Sequence, residues 1–174
     1  MARAPLRWRT IASFFVLLTN PVLAQNIGEE FEDQEWKEQV TKLPPFPKSE
    51  SLVEVMVVGR GEFSFLVDVA SIDIGSDGVV RYSILARSAG GVENVSFEGI
   101  RCHTRERKIY AIGRGDKSWA QARNSAWSAI LSSQRNPYHA ALADGYFCPQ
   151  RSPVFDSAAA IRNIKAGPGA APAR

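Results

Sequence analysis

Between Leu52 and Gly113 the apolar positions recur with the period of a strand. SLVEVMVV and EFSFLVDVA are rich in β-forming residues and are separated by Gly59-Arg60-Gly61, a turn able to supply positive φ, so the two runs should form a hairpin. Asp77-Gly78 marks the next reversal. After it, VVRYSILAR alternates Val80, Tyr82, Ile84 and Ala86 with Arg81, Ser83, Leu85 and Arg87, which sets a mostly apolar face against a mostly polar one. Gly90-Gly91 turns the chain into VENVSFEGIRC, and beyond His103 to Glu106 the run RKIYAIG reads as a fifth strand of an antiparallel meander. Val95 and Phe97 lie on one phase of this alternation, Ile100 and Cys102 on the other, with Gly99 between them. A β-bulge near Gly99 that turns all four towards one core is the expectation.

Past Gly113 the period becomes helical. Ser118-Trp119-Ala120-Gln121 has the order of a capping box, and Trp119, Ala122, Ala126, Trp127 and Ile130 form a stripe that predicts a helix to about Leu131 lying on the sheet. Asn136-Pro137 opens a second helix stopping near Gly145, and Asp156 can cap a third from Ser157 to Lys165, ended by Gly167 and Pro168. The expected fold is α+β: an antiparallel meander of about five strands packed by two or three C-terminal helices, a single domain over residues 51–165. The tail 166–174, AGPGAAPAR, has little to bury and should be disordered.

Upstream of the domain the pattern dissolves. Residues 25–50 form an acidic, proline-containing arm with at most a short helix around Glu35 to Val40, followed by Leu43-Pro44-Pro45-Phe46-Pro47 in extended geometry. Trp36 and Phe46 are the expected anchors that tack this arm to the domain. Residues 1–24 read as a secretory signal peptide: Arg3, Arg7 and Arg9, then the apolar run Ile11 to Leu18, then Val22-Leu23-Ala24, with cleavage between Ala24 and Gln25. The run is far shorter than the roughly 20 residues of a bilayer span, so no membrane span is expected after its removal. A retained anchor is the alternative, resting on the unusual Asn20 and Pro21. The implied location is periplasmic or secreted.

Export alters the charge argument. The chain has 21 Lys and Arg against 18 Asp and Glu, but three of the arginines lie in the signal, so the processed protein is neutral and its basic pI is no nucleic-acid signature. The charge is also uneven: residues 25–54 hold eight acids and three bases, residues 55–174 ten acids and fifteen bases. The acidic arm can therefore lie against the basic body of the same or a neighbouring molecule. A solvated leader is the alternative.

Cys102 and Cys148 are the two cysteines, and an oxidising compartment favours pairing them. A metal site drawn from Cys102, His103, His139 and Cys148 is the poorer reading, because adjacent residues cannot easily face one tetrahedral ion; no metal or cofactor is expected. His103 and His139 read as surface or capping residues. Asp68, Asp73 and Asp77 lack calcium-loop spacing and read as turn and cap residues. Arg114-Gly115-Asp116 reads as a strand-to-helix turn, and Asn94-Val95-Ser96 falls inside a strand. Nucleophile-elbow, zinc-protease, C-x-x-C, P-loop and dinucleotide patterns are all absent from the sequence. The surface candidate is the basic cluster Arg101, Arg105, Arg107 and Lys108, with Arg114 at the far end of the adjoining strand, which could hold an anionic envelope polymer, an envelope protein or the acidic arm. A solvated turn is the plain alternative.

The blocks FEDQEWKE, LPPFPKSESL, FLVDVASIDIGSDGVVRYSILARS, NVSFEGIRCHTRERKIYAIGR, WAQARNSAW and HAALADGYFCP together resemble the cryptic neisserial protein family of Gram-negative bacteria, from about Phe31 to Phe155. The resemblance implies an exported envelope protein and carries no catalytic residues with it. Phe63 to Tyr110 is more distantly similar to surface-adhesin domains of the protein E type, which favours an interaction module over an enzyme. The reading is a non-catalytic binding module of the envelope; a structural envelope component and an enzyme with an unrecognised site are the alternatives.

Overall fold

The computed structural model describes residues 35–131 and 137–169. The expected signal peptide with its Ala24–Gln25 cleavage point, the first part of the arm, Asn136 and the end of the tail lie outside the described residues. The described residues from Trp36 onward belong to one compact unit.

Its centre is a seven-stranded antiparallel sheet. Strands β1 (Leu52–Val55), β2 (Phe63–Ile74), β3 (Val79–Ser88), β4 (Glu93–Arg101), β5 (Glu106–Gly113) and β6 (Trp119–Gln121) lie side by side in chain order, and β7 (Ser128–Ala129) pairs with the start of β5. The meander turns at Gly78 and Gly91, whose φ of 76° and 80° favour residues without a Cβ. Two helices follow: α1 (Pro137–Leu142), which runs on into a π-helical turn at Ala143–Phe147, and α2 (Ser157–Ala166). The carboxylate of Asp156 accepts the Ala159 N–H at 2.7 Å and caps α2, satisfying a donor that the first helical turn leaves open. The architecture is α+β, as the periodicity indicated.

Phe65, Val67, Val80, Tyr82, Ile84 and Ile100 line the sheet face that meets Leu142, Tyr146, Phe147, Ala160 and Ile164 of the helical layer. Each large side chain fully buried here contributes about 1.5–3 kcal/mol relative to exposure. The Cys102–Cys148 disulfide ties the end of β4 to the exit of the π-helical turn.

Three expectations change. The helix foreseen from Ser118 to Leu131 is instead β6, an irregular segment and β7. Asp116 accepts from both the N–H and the hydroxyl of Ser118, while the Arg114 N–H donates to the Ser118 carbonyl, so Ser118 closes a hairpin rather than capping a helix. The open edge of β5 then takes up the backbone groups of 119–121 and 128–129.

The bulge foreseen near Gly99 is absent from β4, which pairs with β3 in unbroken register from Val79↔Arg101 to Arg87↔Glu93. Val95 and Phe97 therefore face one side, Ile100 and Cys102 the other, because both faces of the sheet are covered. The irregularity lies on the other flank of β4, between Phe97↔Ala111 and Glu98↔Ile109, where β5 carries Tyr110 as its extra residue.

For the same reason the polar phase of β3 is covered as well: every residue from Val79 to Leu85 is buried, Arg81 and Ser83 included. The cover is the stretch Trp36–Phe46. It is non-helical throughout, including the Glu35–Val40 portion expected to coil, since its groups bond outward to the sheet.

Candidate functional site

Residues 36–46 cross the sheet face opposite the helices. Two polar hubs fix the first part. At one, Asp77 and Arg81 form a buried ion pair at 2.6 Å, and Arg81 also donates through Nε to the Thr41 hydroxyl at 2.7 Å. The Gln39 N–H donates to Asp77 Oδ2 at 2.8 Å, and the Trp36 indole N–H to the Asp77 carbonyl at 2.7 Å. Burial pushes the Asp77 carboxyl up, but the bonds from Arg81, Gln39 and Val79 outweigh it and hold it below the ordinary value.

At the other hub the Glu38 carboxylate accepts from Lys108 Nζ at 2.8 Å, the Tyr110 hydroxyl at 2.9 Å and Trp127 Nε1 at 3.1 Å. Burial raises this carboxyl, but the three donors outweigh it and leave it below its ordinary value. Trp36 lies beside the same hub, with the Arg101 guanidinium 3.8 Å from its ring and the Trp127 ring edge-on at 5.8 Å. Further along, Phe46 packs on Trp119 at 5.1 Å, and the Trp119 indole donates to the Pro44 carbonyl at 2.9 Å.

Between these anchors Gln39 and Thr41 are bonded to Asp77 and Arg81, but the cover is incomplete. Val40 is 98% exposed, and clefts of about 480 and 380 Å³ open beside Gln39 and Thr41. The larger is lined by Glu38, Lys108, Tyr110, Gln121 and Ser125, among others; the smaller by Lys42, Ser71, Asp73 and Arg81.

The five cations of the basic cluster do not converge. Arg101 and Lys108 face the arm. Arg105, in the turn with φ 56°, holds Asp144 through two bonds of 3.1 and 2.6 Å and donates to the Ile130 carbonyl. Arg107 pairs in register with Ile100 on the helix-covered face, where its charge acts on Tyr82 and Tyr138. Arg114 sits in the β5–β6 hairpin at the far end. Arg101 is also 3.7 Å from Glu106. The turn thus splits its charge between opposite faces of the sheet.

A second polar cluster lies beneath α1. Glu98 is 1% and His139 2% exposed, with Nε2 and Oε2 2.9 Å apart. Tyr82, Ser96 and Tyr138 also donate to Glu98, at 3.2, 2.6 and 3.0 Å. Burial pushes the Glu98 carboxyl up, and these bonds together with His139 bring it below the ordinary value. His139, which reads in the sequence as a first-turn surface residue, is thereby a buried partner of a strand carboxylate. The register Tyr82↔Glu98 creates this pairing, and no local pattern signals it.

His103 is an exposed turn residue, and Asp68 turns back to accept the Ala70 N–H at 3.1 Å. Among the described residues no group of three or more His, Cys, Asp or Glu is gathered to hold a metal ion, and no helix is long and apolar enough to cross a membrane.

The model of the CNP1-like family matches residues 31–165. The chain is similar to Cryptic neisserial protein 1 of Neisseria gonorrhoeae (strain ATCC 700825 / FA 1090), at 29% identity over 157 residues, covering 79% of this chain and 75% of that protein. No solved structure matches.

Proposed function

This chain belongs to the CNP1-like family, and from that premise we propose that it is an exported protein of the bacterial envelope that binds an anionic partner on the arm-covered face of its sheet. Export is supported by the arginine-flanked apolar run ahead of Val22-Leu23-Ala24 and by the disulfide, which persists in oxidising compartments. The observation that carries the binding role is the three-donor grip on Glu38. Lys108, Tyr110 and Trp127 converge on one carboxylate from β5 and from the segment ahead of β7, which is how a protein surface recognises an acidic ligand. The partner is an envelope protein or an anionic polymer, not nucleic acid.

An enzymatic role would call on Glu98 and His139, and those groups are enclosed and committed to each other and to three hydroxyls. A structural role in the envelope is the second reading, favoured by exposed Met56, Val58 and Phe63 beside the β1–β2 edge of the sheet.

The test is crosslinking in living cells of the native host, comparing the wild type with Arg101→Ser/Lys108→Ser, which leaves the Arg105–Asp144 pair intact. A captured molecule that the variant loses supports the proposal. Identical capture profiles would sink it, and a profile containing only copies of this chain would move the reading to a structural component.

A further inference from the structure

We infer that residues Trp36–Thr41 are a built-in occupant of a peptide-binding face, and that this face accepts in trans an extended acidic segment of another protein carrying an aromatic residue two positions ahead of a carboxylate. The inference rests on the binding role proposed above and names the partner's chemistry and its regulation.

Three observations carry it. First, the grip is made by groups of the body, chiefly side chains. Trp36–Thr41 joins no strand of the sheet, yet Trp36 and Glu38 each meet several groups: the Asp77 carbonyl, Arg101 and Trp127 for the indole; Lys108, Tyr110 and Trp127 for the carboxylate. In an extended segment residues two apart point the same way, so the spacing of these two side chains is the element being read.

Second, the receiving groups are held by contacts within the body. Lys108 Nζ stands 5.2 Å from the Tyr110 ring and 5.7 Å from that of Trp127, Tyr110 packs on Phe97 at 5.4 Å, and Arg81 is fixed by Asp77. A site organised in this way offers its donors at little cost in ordering.

Third, the occupant is held without strand pairing. Its bonds at Trp36, Glu38, Gln39 and Thr41 run to individual groups of the body, Val40 is 98% exposed, and two clefts lie open beside it. A tethered segment of this kind competes at an effective concentration of order millimolar, so it masks the face against weak ligands and yields to one that binds better. The acidic character of residues 25–54 and the Lys108 and Arg101 charges on the face give the complementarity that selects an acidic competitor.

The test uses a fluorescein-labelled peptide with the sequence of residues 32–42, EDQEWKEQVTK, titrated by anisotropy into the whole exported protein. Trp36→Ala/Glu38→Gln, which removes in cis the two side chains being read, is expected to bind the peptide at least about tenfold more tightly than the wild type, the factor associated with losing a charge-assisted hydrogen-bond set. Adding Lys108→Ala should abolish that binding, and a peptide carrying the same Ala and Gln changes should not bind at all. Should the double variant fail to fold by near-ultraviolet circular dichroism, Glu38→Gln alone is expected to gain in the same direction. Folded variants that ignore the peptide, or equal affinity for wild type and variant, would overturn the inference. A wild-type dimer dissolved by the peptide would also overturn it, in favour of arms exchanged between two copies. A partner captured in cells without peptide binding in vitro would leave the broader reading standing and remove only this one.

Discussion

Gly99 lies directly under Tyr110: a Cβ at position 99 would stand 2.8 Å from the phenol oxygen and 2.9 Å from the ring edge. The glycine is required by this close approach, and the approach exists because β5 bulges at Tyr110. The same phenol donates to Glu38, so the fit of the sheet beneath it governs the grip on the arm. Gly99→Ala should destabilise the fold by about 1–3 kcal/mol through overpacking, measured by urea unfolding, and should make residues Trp36–Thr41 more susceptible to proteolysis. Unchanged stability would show that the ring yields freely.

Glu98 and His139 make a buried pair, and removing one member leaves the other in an apolar layer. His139→Leu is expected to cost about 3–5 kcal/mol, while Glu98→Leu/His139→Leu should cost clearly less than the sum of the single changes. A double-mutant cycle in urea measures the coupling, and additive losses would mean that the two groups do not act as a pair.

This pair also shows where reading the sequence stops. The strands from Leu52 to Gly113, their glycine turns, the Asp156 cap and the cysteine pair follow from local period and residue chemistry, so they were legible. Trp119 and Trp127 fall on one helical stripe in the sequence, yet each serves the arm, donating to Pro44 and Glu38 respectively. What made the difference is the unfilled edge of β5, a property of the assembled sheet. The polar phase of β3 is visible in the sequence, but nothing at Arg81 announces that Thr41, Gln39 and Asp77 will meet it. Of the basic turn the residues were visible in the sequence, and strand alternation sends Lys108 and Arg107 to opposite faces; what could not be read is that the arm lies on the Lys108 side.

Acid should weaken the protein in a defined direction. Glu98, Asp77 and Glu38 all have carboxyls held below their ordinary values of 4.5, 3.8 and 4.5, so the folded state binds fewer protons than the unfolded one around those values. The stability they contribute is fully present above about pH 5 and is lost as the pH falls through the folded-state values. Urea midpoints measured from pH 7 to pH 3 should fall on the acid side, and Glu38→Gln should make that fall shallower. A flat profile would contradict the depressed carboxyls.

The Cys102–Cys148 bridge closes a 46-residue separation, for which the chain-entropy estimate is about 4 kcal/mol. Cys102→Ala/Cys148→Ala should lose stability of that order, and dithiothreitol should lower the wild-type melting temperature while leaving the variant's unchanged. A reductant effect of equal size on both would point away from this bond.

Glu38 should contribute late in folding: Glu38→Gln is expected to accelerate unfolding and leave the refolding rate unchanged in stopped-flow experiments, and slowed refolding would contradict this. The reason is distance along the chain. Its donors Lys108, Tyr110 and Trp127 lie 70, 72 and 89 residues away, so closing that loop gains nothing until β5 and the segment behind it exist. In a polypeptide that emerges amino end first, the acidic segment appears before the donors it needs and is seated only after them. During that interval its indole and carboxylate remain open to any other surface able to receive them.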